Sequence, residues 1–347
     1  MKKRLSVLAL ILALVMVLTA CGTKPSTDPG TEGTEGAKPI TIVCGSMGNP
    51  DTTYIGQADL YFVDRVAELS DGAITIDMKN KSVLGYEAEL IQQCMDGTVP
   101  FVVVGPSILS NYTDYLDAIM LPFLIDDIDL EYQVFHTDEF KALCDAVSEE
   151  CGVKIIGTGE NGLRHFVTTT GPINSISDLK GLKIRVAQSE TLIKAMETIG
   201  ANPIPLAYNE LYSGLQNKVI EAEEINLMSV KNQRHYEVAK YMSMIGMYPY
   251  ASLYVFNLDY WNGLTEEQQE ILLQAGSDVT DKIFKELLPL EEESARKIAS
   301  DGGMQFNDVA NRQEFYDAMS PLWEEYAEKD PLIKAFIDKV LELKFAE

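Results

Sequence analysis

Asp178-Leu179-Lys180-Gly181-Leu182-Lys183-Ile184-Arg185-Val186 reads as a turn followed by a short strand. From Leu182 apolar residues alternate with Lys183 and Arg185, which puts both cations on one side of the strand and the aliphatic residues on the other. Helical apolar spacing over 190–199 comes next, so the pair is a strand–helix unit of the α/β kind. The pattern alone is equally well served by a half-exposed strand with two solvated cations. A guanidinium at the C-terminal end of an α/β strand, however, sits where such sheets bind ligands, and its planar fork matches a carboxylate bidentately.

The same grammar extends in both directions. Upstream, strands are predicted at 40–44, 73–78, 99–104 and 153–156, with helices at 54–69 and 87–95 and one long helix over 129–150 ended by Gly152. The continuous apolar run 99–104 predicts a strand buried on both faces, as parallel sheets require. Downstream, strands at 164–170, 182–186, 241–247 and 252–256 are separated by helices at 190–199, 209–217 and 227–239. Thr265-Glu266-Glu267-Gln268 is a capping box, and from it the chain is almost entirely helical, with Pro289 interrupting or kinking the run. Two α/β lobes and a helical C-terminal third fit this order.

Charge narrows the function. With 28 Lys plus Arg against 53 Asp plus Glu in 347 residues, the net charge is −25. A general nucleic-acid binder needs a basic face, and an anionic membrane repels so acidic a surface. The composition, 46% apolar and 23% charged, is that of a globular protein with room for two cores. The N-terminus stands apart from it. Lys2, Lys3 and Arg4 precede an apolar run, 5–18, too short to span a bilayer comfortably. Leu18-Thr19-Ala20-Cys21-Gly22 then resembles the lipobox of bacterial lipoproteins, which implies a signal peptide over 1–20 and a lipid on Cys21; an ordinary secretory signal is the alternative. Loss of 1–20 removes three positive charges, which takes the net charge from −25 to −28. Residues 21–39, rich in Gly, Thr, Pro and Glu, read as a flexible tether. The body is expected outside the cytoplasm, on the outer face of the cytoplasmic membrane, touching it through the lipid alone. Cys44, Cys94, Cys144 and Cys151 form no C-x-x-C pair and read as buried thiols.

Catalytic signals are thin. Gly157-Thr158-Gly159-Glu160-Asn161-Gly162 spells G-x-G-x-x-G after a strand, but a dinucleotide site needs a helix opening at the third glycine. The β-branched and aromatic residues of 163–170 favour a strand instead. His136, His165 and His235 show no ligand spacing, so neither a metal nor another cofactor is expected. Glu291-Glu292-Glu293 reads as a solvated helix face, and no enzymatic activity is predicted.

Further residues carry a resemblance. Asp178 to Val186, Gly200-Ala201-Asn202-Pro203-Ile204-Pro205 and Glu210-Leu211-Tyr212-Ser213-Gly214-Leu215-Gln216 are similar to the dicarboxylate-binding (DctP-like) solute receptors of TRAP transporters. So are Leu84-Gly85 with Glu87, Leu121-Pro122-Phe123-Leu124 and Asn161-Gly162-Leu163-Arg164, over about residues 40–345. The resemblance implies a periplasmic-binding-protein-like clamshell with discontinuous lobes, 40–161 plus 251–289 and 162–250 plus 290–347, and a long helix under both. It places the principal salt bridge to a substrate carboxylate on Arg185, an accessory contact on Arg164, an aromatic contact on Tyr208 and a pocket-shaping role on Glu87. In Glu221-Ala222-Glu223-Glu224-Ile225-Asn226, Glu224 joins this ligand set, while Ile225 stands where many members have asparagine. That hydrogen bond is lost or supplied by Asn226.

The implied function is a lipid-anchored receptor that captures a small organic acid and delivers it to membrane permease subunits. A sugar acid such as a uronate is favoured, because Tyr54, Tyr86, Tyr208, Tyr212, Tyr248 and Tyr250 offer stacking and hydroxyl contacts to a polyol. A C4-dicarboxylate is next. The competing readings are a sugar or amino-acid receptor of an ABC importer, which does not need Arg185, and a secreted oxidoreductase using 157–162.

Overall fold

The computed structural model describes residues 39–346. Its strands are β1 (Ile40–Ser46), β2 (Ile74–Lys79), β3 (Phe101–Val104), β4 (Val153–Glu160), β5 (His165–Thr168), β6 (Lys183–Val186), β7 (Asn202–Pro205), β8 (Ala222–Ile225), β9 (Tyr241–Met244), β10 (Ala251–Asn257) and β11 (Gln305–Asp308). They form two sheets of mixed direction, ordered β2-β1-β3-β10-β4 and β11-β9-β5-β8-β6-β7. In the first, β1 runs parallel to β2 and β3 while β10 is antiparallel to both β3 and β4. The fully buried run Phe101–Val104 is therefore a central strand, but one with a parallel neighbour on one side only.

Local chemistry explains most of the helices. Thr53 accepts a hydrogen bond from Gly56 N at 3.1 Å and starts the helix Tyr54–Leu69, whose Tyr54, Ala58, Phe62 and Val66 form one buried stripe. The expected long helix over 129–150 is in fact two, Ile128–Phe135 and Asp138–Cys151. Thr137 adopts an extended backbone, and its hydroxyl accepts from Phe140 N at 3.1 Å, so a helix start is written inside the periodic run. The expected helix over 227–239 likewise ends at Asn232, because Arg234 takes a left-handed conformation, φ 56°, before a short 3₁₀ turn at His235–Glu237.

Three strands escape the hydrophobic pattern. β7 carries Pro203 and Pro205 at a sheet edge, where a missing N–H costs no ladder bond. β11, Gln-Phe-Asn-Asp, pairs parallel to β9 at the opposite edge and interrupts the supposedly helical last third. β8 is central, buried and acidic, its Glu223 and Glu224 being paired with His235 and Arg164.

The chain passes between the sheets at 161–164 and again at 245–250, and these two segments are bonded together. Asn161 N donates to Tyr250 O at 3.0 Å, Arg164 N to Tyr248 O at 2.8 Å and Met247 N to Arg164 O at 3.0 Å. A third connection is a nearly continuous helix, Glu266–Lys282 followed by a π-helical turn at Ile283–Leu287 and by Leu288–Asp301. Its first part packs on β4 and its last part on the helix Leu227–Asn232. Pro289 does not break it. The wider π turn lies just where the ring would otherwise meet the carbonyl four residues earlier, which relieves the clash. The C-terminal helix Pro331–Lys344 packs on Ile128–Phe135 and Asp138–Cys151, on the side of the first sheet, although the expected lobes group 290–347 with the second. Cys44, Cys94, Cys144 and Cys151 are buried free thiols.

Candidate functional site

A cleft of about 330 Å³ lies where the two sheets meet, lined by residues of both. Arg185, at the C-terminal end of β6, enters it with 5% of its side chain exposed, while its strand neighbour Lys183 is exposed. The two cations thus share a side of the strand in sequence but not a fate. Arg185 Nε and Nη2 donate to Leu206 O at 3.1 and 3.0 Å, which fixes the plane of the guanidinium. Among the described residues, the anionic group nearest its Nη1 is Glu224 Oε1 at 4.0 Å.

Arg164 is held very differently. Its Nε donates to Glu224 Oε2 at 2.6 Å, and its Nη2 donates to Glu224 Oε1 at 2.9 Å and Glu224 O at 2.7 Å, while the guanidinium lies 4.6 Å over the Tyr250 ring. The same carboxylate accepts from Tyr248 Oη at 2.6 Å and Ala187 N at 3.1 Å. Burial opposes the charge on Glu224, but Arg164 outweighs it, aided by Arg185 and Tyr248, and the carboxyl is held below its usual range. Glu224 is therefore a saturated counter-ion behind the cleft wall. Expected to touch ligand, it has its oxygens occupied by four protein donors and is not among the residues that line the cleft.

The remaining expected residues do line the cleft. Tyr208 stands beside Ser229 and Gln233, and burial raises its phenol above the ordinary value. Glu87 begins the helix Glu87–Met95, and its Oε1 accepts from Gly105 N at 2.8 Å. Burial raises its carboxyl, while Gly105, Arg185 and Arg164 restrain the shift. Ile225 is buried in apolar surroundings, and it is Asn226 that reaches the cleft. Asn226 Oδ1 caps the helix Leu227–Asn232 by accepting from Ser229 N at 2.8 Å, which fixes the amide at the cleft wall. Cys21 lies outside the described residues.

Sequence reasoning missed Ser46, Asn49 and Ser229 around the cleft, and Ser107 beside the cleft residue Tyr250. Ser107 Oγ and Tyr250 Oη are 2.5 Å apart, which pins the Tyr250 hydroxyl against the cavity wall. A signal was present for two of them: Gly45-Ser46-Met47-Gly48-Asn49 is a small polar loop leaving the C-terminal end of a strand. The glycines of 157–162 have packing explanations instead of a nucleotide. A Cβ on Gly157 would lie 2.8 Å from Gly276 O of the long helix, one on Gly159 would lie 2.8 Å from Ile283, and β5, not a helix, follows Gly162. His165 accepts from Ile245 N and Gly246 N at 3.1 and 3.0 Å, and burial drives its pKa down to about 3, so it is a neutral structural imidazole.

A cleft between two α/β sheets joined by two bonded crossings and a bridging helix is matched by a family model over residues 45–330. The chain belongs to the bacterial extracellular solute-binding protein family 7. Among its family 7 relatives, the C4-dicarboxylate-binding periplasmic protein of Vibrio cholerae is 27% identical over 324 residues, 93% of this chain and 94% of the relative. A TRAP periplasmic solute binding protein from a Bradyrhizobium species, in complex with α/β-D-galacturonate, is 27% identical with a TM-score of 0.82, covering 87% of this chain and 99% of the other. Another from Anaerococcus prevotii, with bound α/β-D-glucuronate, is 26% identical with a TM-score of 0.82, covering 87% and 97%. The two-sheet α/β fold is that of these family 7 receptors.

Proposed function

We propose that this protein is the extracytoplasmic receptor of a TRAP transporter, that it captures a sugar acid, a uronate by preference, and that it hands the ligand to the membrane permease subunits. The observation that carries this reading is the state of Arg185: buried, fixed in orientation by Leu206 O, and, among the described residues, hydrogen-bonded to no carboxylate, Glu224 lying 4.0 Å away. A buried guanidinium with an unspent edge calls for an anionic partner, and a ligand carboxylate supplies it. Around it Tyr208, Tyr250, Asn226 and Asn161 offer rings and amides suited to hydroxyl groups. A C4-dicarboxylate would bring a second charge into a cleft that holds Glu87 and whose other guanidinium is neutralised by Glu224. The galacturonate and glucuronate complexes of similar proteins point the same way.

In this reading the two sheets are the cores of two lobes that close on the ligand, and a lipid on Cys21 with the 21–39 tether holds the body at the membrane. Calorimetric titration with D-glucuronate, D-galacturonate, succinate and D-glucose tests it. Binding of a uronate with succinate weaker and glucose silent is expected; binding of glucose alone would instead favour an ABC-type sugar receptor.

A further inference from the structure

Two carboxyl groups outside the cleft's wall face each other without a cation. Glu131, on the helix Ile128–Phe135, and Glu160, the last residue of β4, are 1% and 0% exposed. Each carboxyl acts directly on the ionisation of the other, as close neighbours do. One oxygen of each, Oε2, has no hydrogen-bond partner among the described residues. Glu160 Oε1, by contrast, accepts from Gly162 N at 2.5 Å and from Tyr250 N at 3.2 Å. Those two amides belong to the two different segments by which the chain passes between the sheets, so this carboxyl clips the crossings together.

The surroundings offer nothing to neutralise a second charge. The Tyr54 hydroxyl, from the helix Tyr54–Leu69, donates to the backbone oxygen of Glu160, and Tyr254 of β10 lies near Tyr54. Arg164 acts on Glu160 only weakly, its fork being committed to Glu224. Glu291 of the helix Leu288–Asp301 is paired with Lys231 at 2.6 Å. Of the nearby lysines, Lys285 serves Asp281 and Lys344 of the C-terminal helix serves Asp126. Among the described residues no ion pair reaches Glu131 or Glu160. Two neighbouring buried carboxylates cannot both ionise at low cost, and a proton held on Glu131 lets that carboxyl donate to Glu160 where no cation is at hand.

We propose that Glu131 and Glu160 form a proton-binding site that ties the two crossing segments, and that this tie loosens as the medium turns alkaline. Burial pushes the Glu160 carboxyl up to about 7 and the Glu131 carboxyl well above its usual range. The sign follows. Acids whose folded pKa lies above the unfolded value bind protons preferentially in the folded state, so stability falls as pH rises from the ordinary carboxylate range through about 7 and beyond. Asp59, raised to about 7, and Asp117, raised to about 6, give a background of the same sign, so the difference between variants carries the information.

Infrared spectra and melting curves of the full, ligand-free chain across this pH range provide the test, and neither depends on the sugar-acid reading. At neutral pH the parent shows the carbonyl band of a protonated, slowly deuterating carboxylic acid. Glu131→Gln removes the contribution of this pair, because the amide still donates to Glu160 but cannot titrate, and the fall of Tm with rising pH becomes shallower. Glu160→Gln serves the same purpose should the first variant fail to fold. A parent without a protected acid band at neutral pH, or a variant whose spectrum and Tm profile superimpose on the parent's, overturns the proposal.

Discussion

At the scale of single residues, Arg185 and Arg164 show how the same side chain does opposite work a short distance apart. Arg185 makes no hydrogen bond to a carboxylate among the described residues and is the proposed ligand anchor, whereas Arg164, although it lines the cleft, spends its fork on Glu224. Arg185→Lys retains charge but not the planar fork, and it is expected to weaken uronate binding at least tenfold with Tm unchanged. Arg185→Ala costs more, about 2–5 kcal/mol of binding free energy, because the ligand carboxylate is left unpaired. Parental affinity in the lysine variant would show that the carboxylate binds elsewhere. Arg164→Ala leaves Glu224 charged and uncompensated in a dry site, so a stability loss of about 3–5 kcal/mol is expected in urea melts. A loss of binding with no loss of stability would return Arg164 to the role of a ligand contact. Glu87→Gln removes the negative charge that disfavours a second ligand carboxylate and should raise succinate affinity relative to glucuronate; an unchanged ratio in competition titrations would deny it that role.

Elements were legible where they carry their own signals. Helix Tyr54–Leu69 has a threonine cap and a four-residue apolar stripe, and β6 alternates cleanly, so both stand where the pattern places them. β8 was obscured because a buried carboxylate looks like a solvated one until its partner is known, and Arg164 is sixty residues away in sequence. The same ambiguity hid the standing of Glu224, whose motif was readable while its saturation by four donors was not. Gly157 illustrates the converse: a glycine pattern suggestive of phosphate binding exists because β4 and the long helix touch backbone to backbone. A Cβ on Gly276 would lie 2.0 Å from Ile156 O, an impossible approach. Gly276→Ala is therefore expected to cost about 1–3 kcal/mol, read as a lower urea midpoint, the strain being that of overpacking. A midpoint equal to the parent's would mean that the helix can lift off the sheet without penalty.

For the whole molecule, the decisive fact is that the anion-binding edge is covered. Arg185 lines the cleft with 5% of its side chain exposed, so in the proposed reading a carboxylate reaches the guanidinium more readily when the walls are apart. The proposed parting of the sheets would bend two short crossings, one helix that carries a π turn, and the return of the chain from β11 to the helix Pro331–Lys344. Parting costs the contacts across the cleft, and a ligand that touches both walls restores them with additional bonds, so binding and closure are one equilibrium. Small-angle scattering on the chain from residue 39 onward should therefore give a larger radius of gyration without ligand than at uronate saturation, with the Arg185→Ala variant remaining at the larger value at the same ligand concentration. If the radius of the parent does not change on saturation, the lobes do not move on binding, and Arg185 must be reached by rearrangement of the cleft mouth around Glu87 and Asn49 alone.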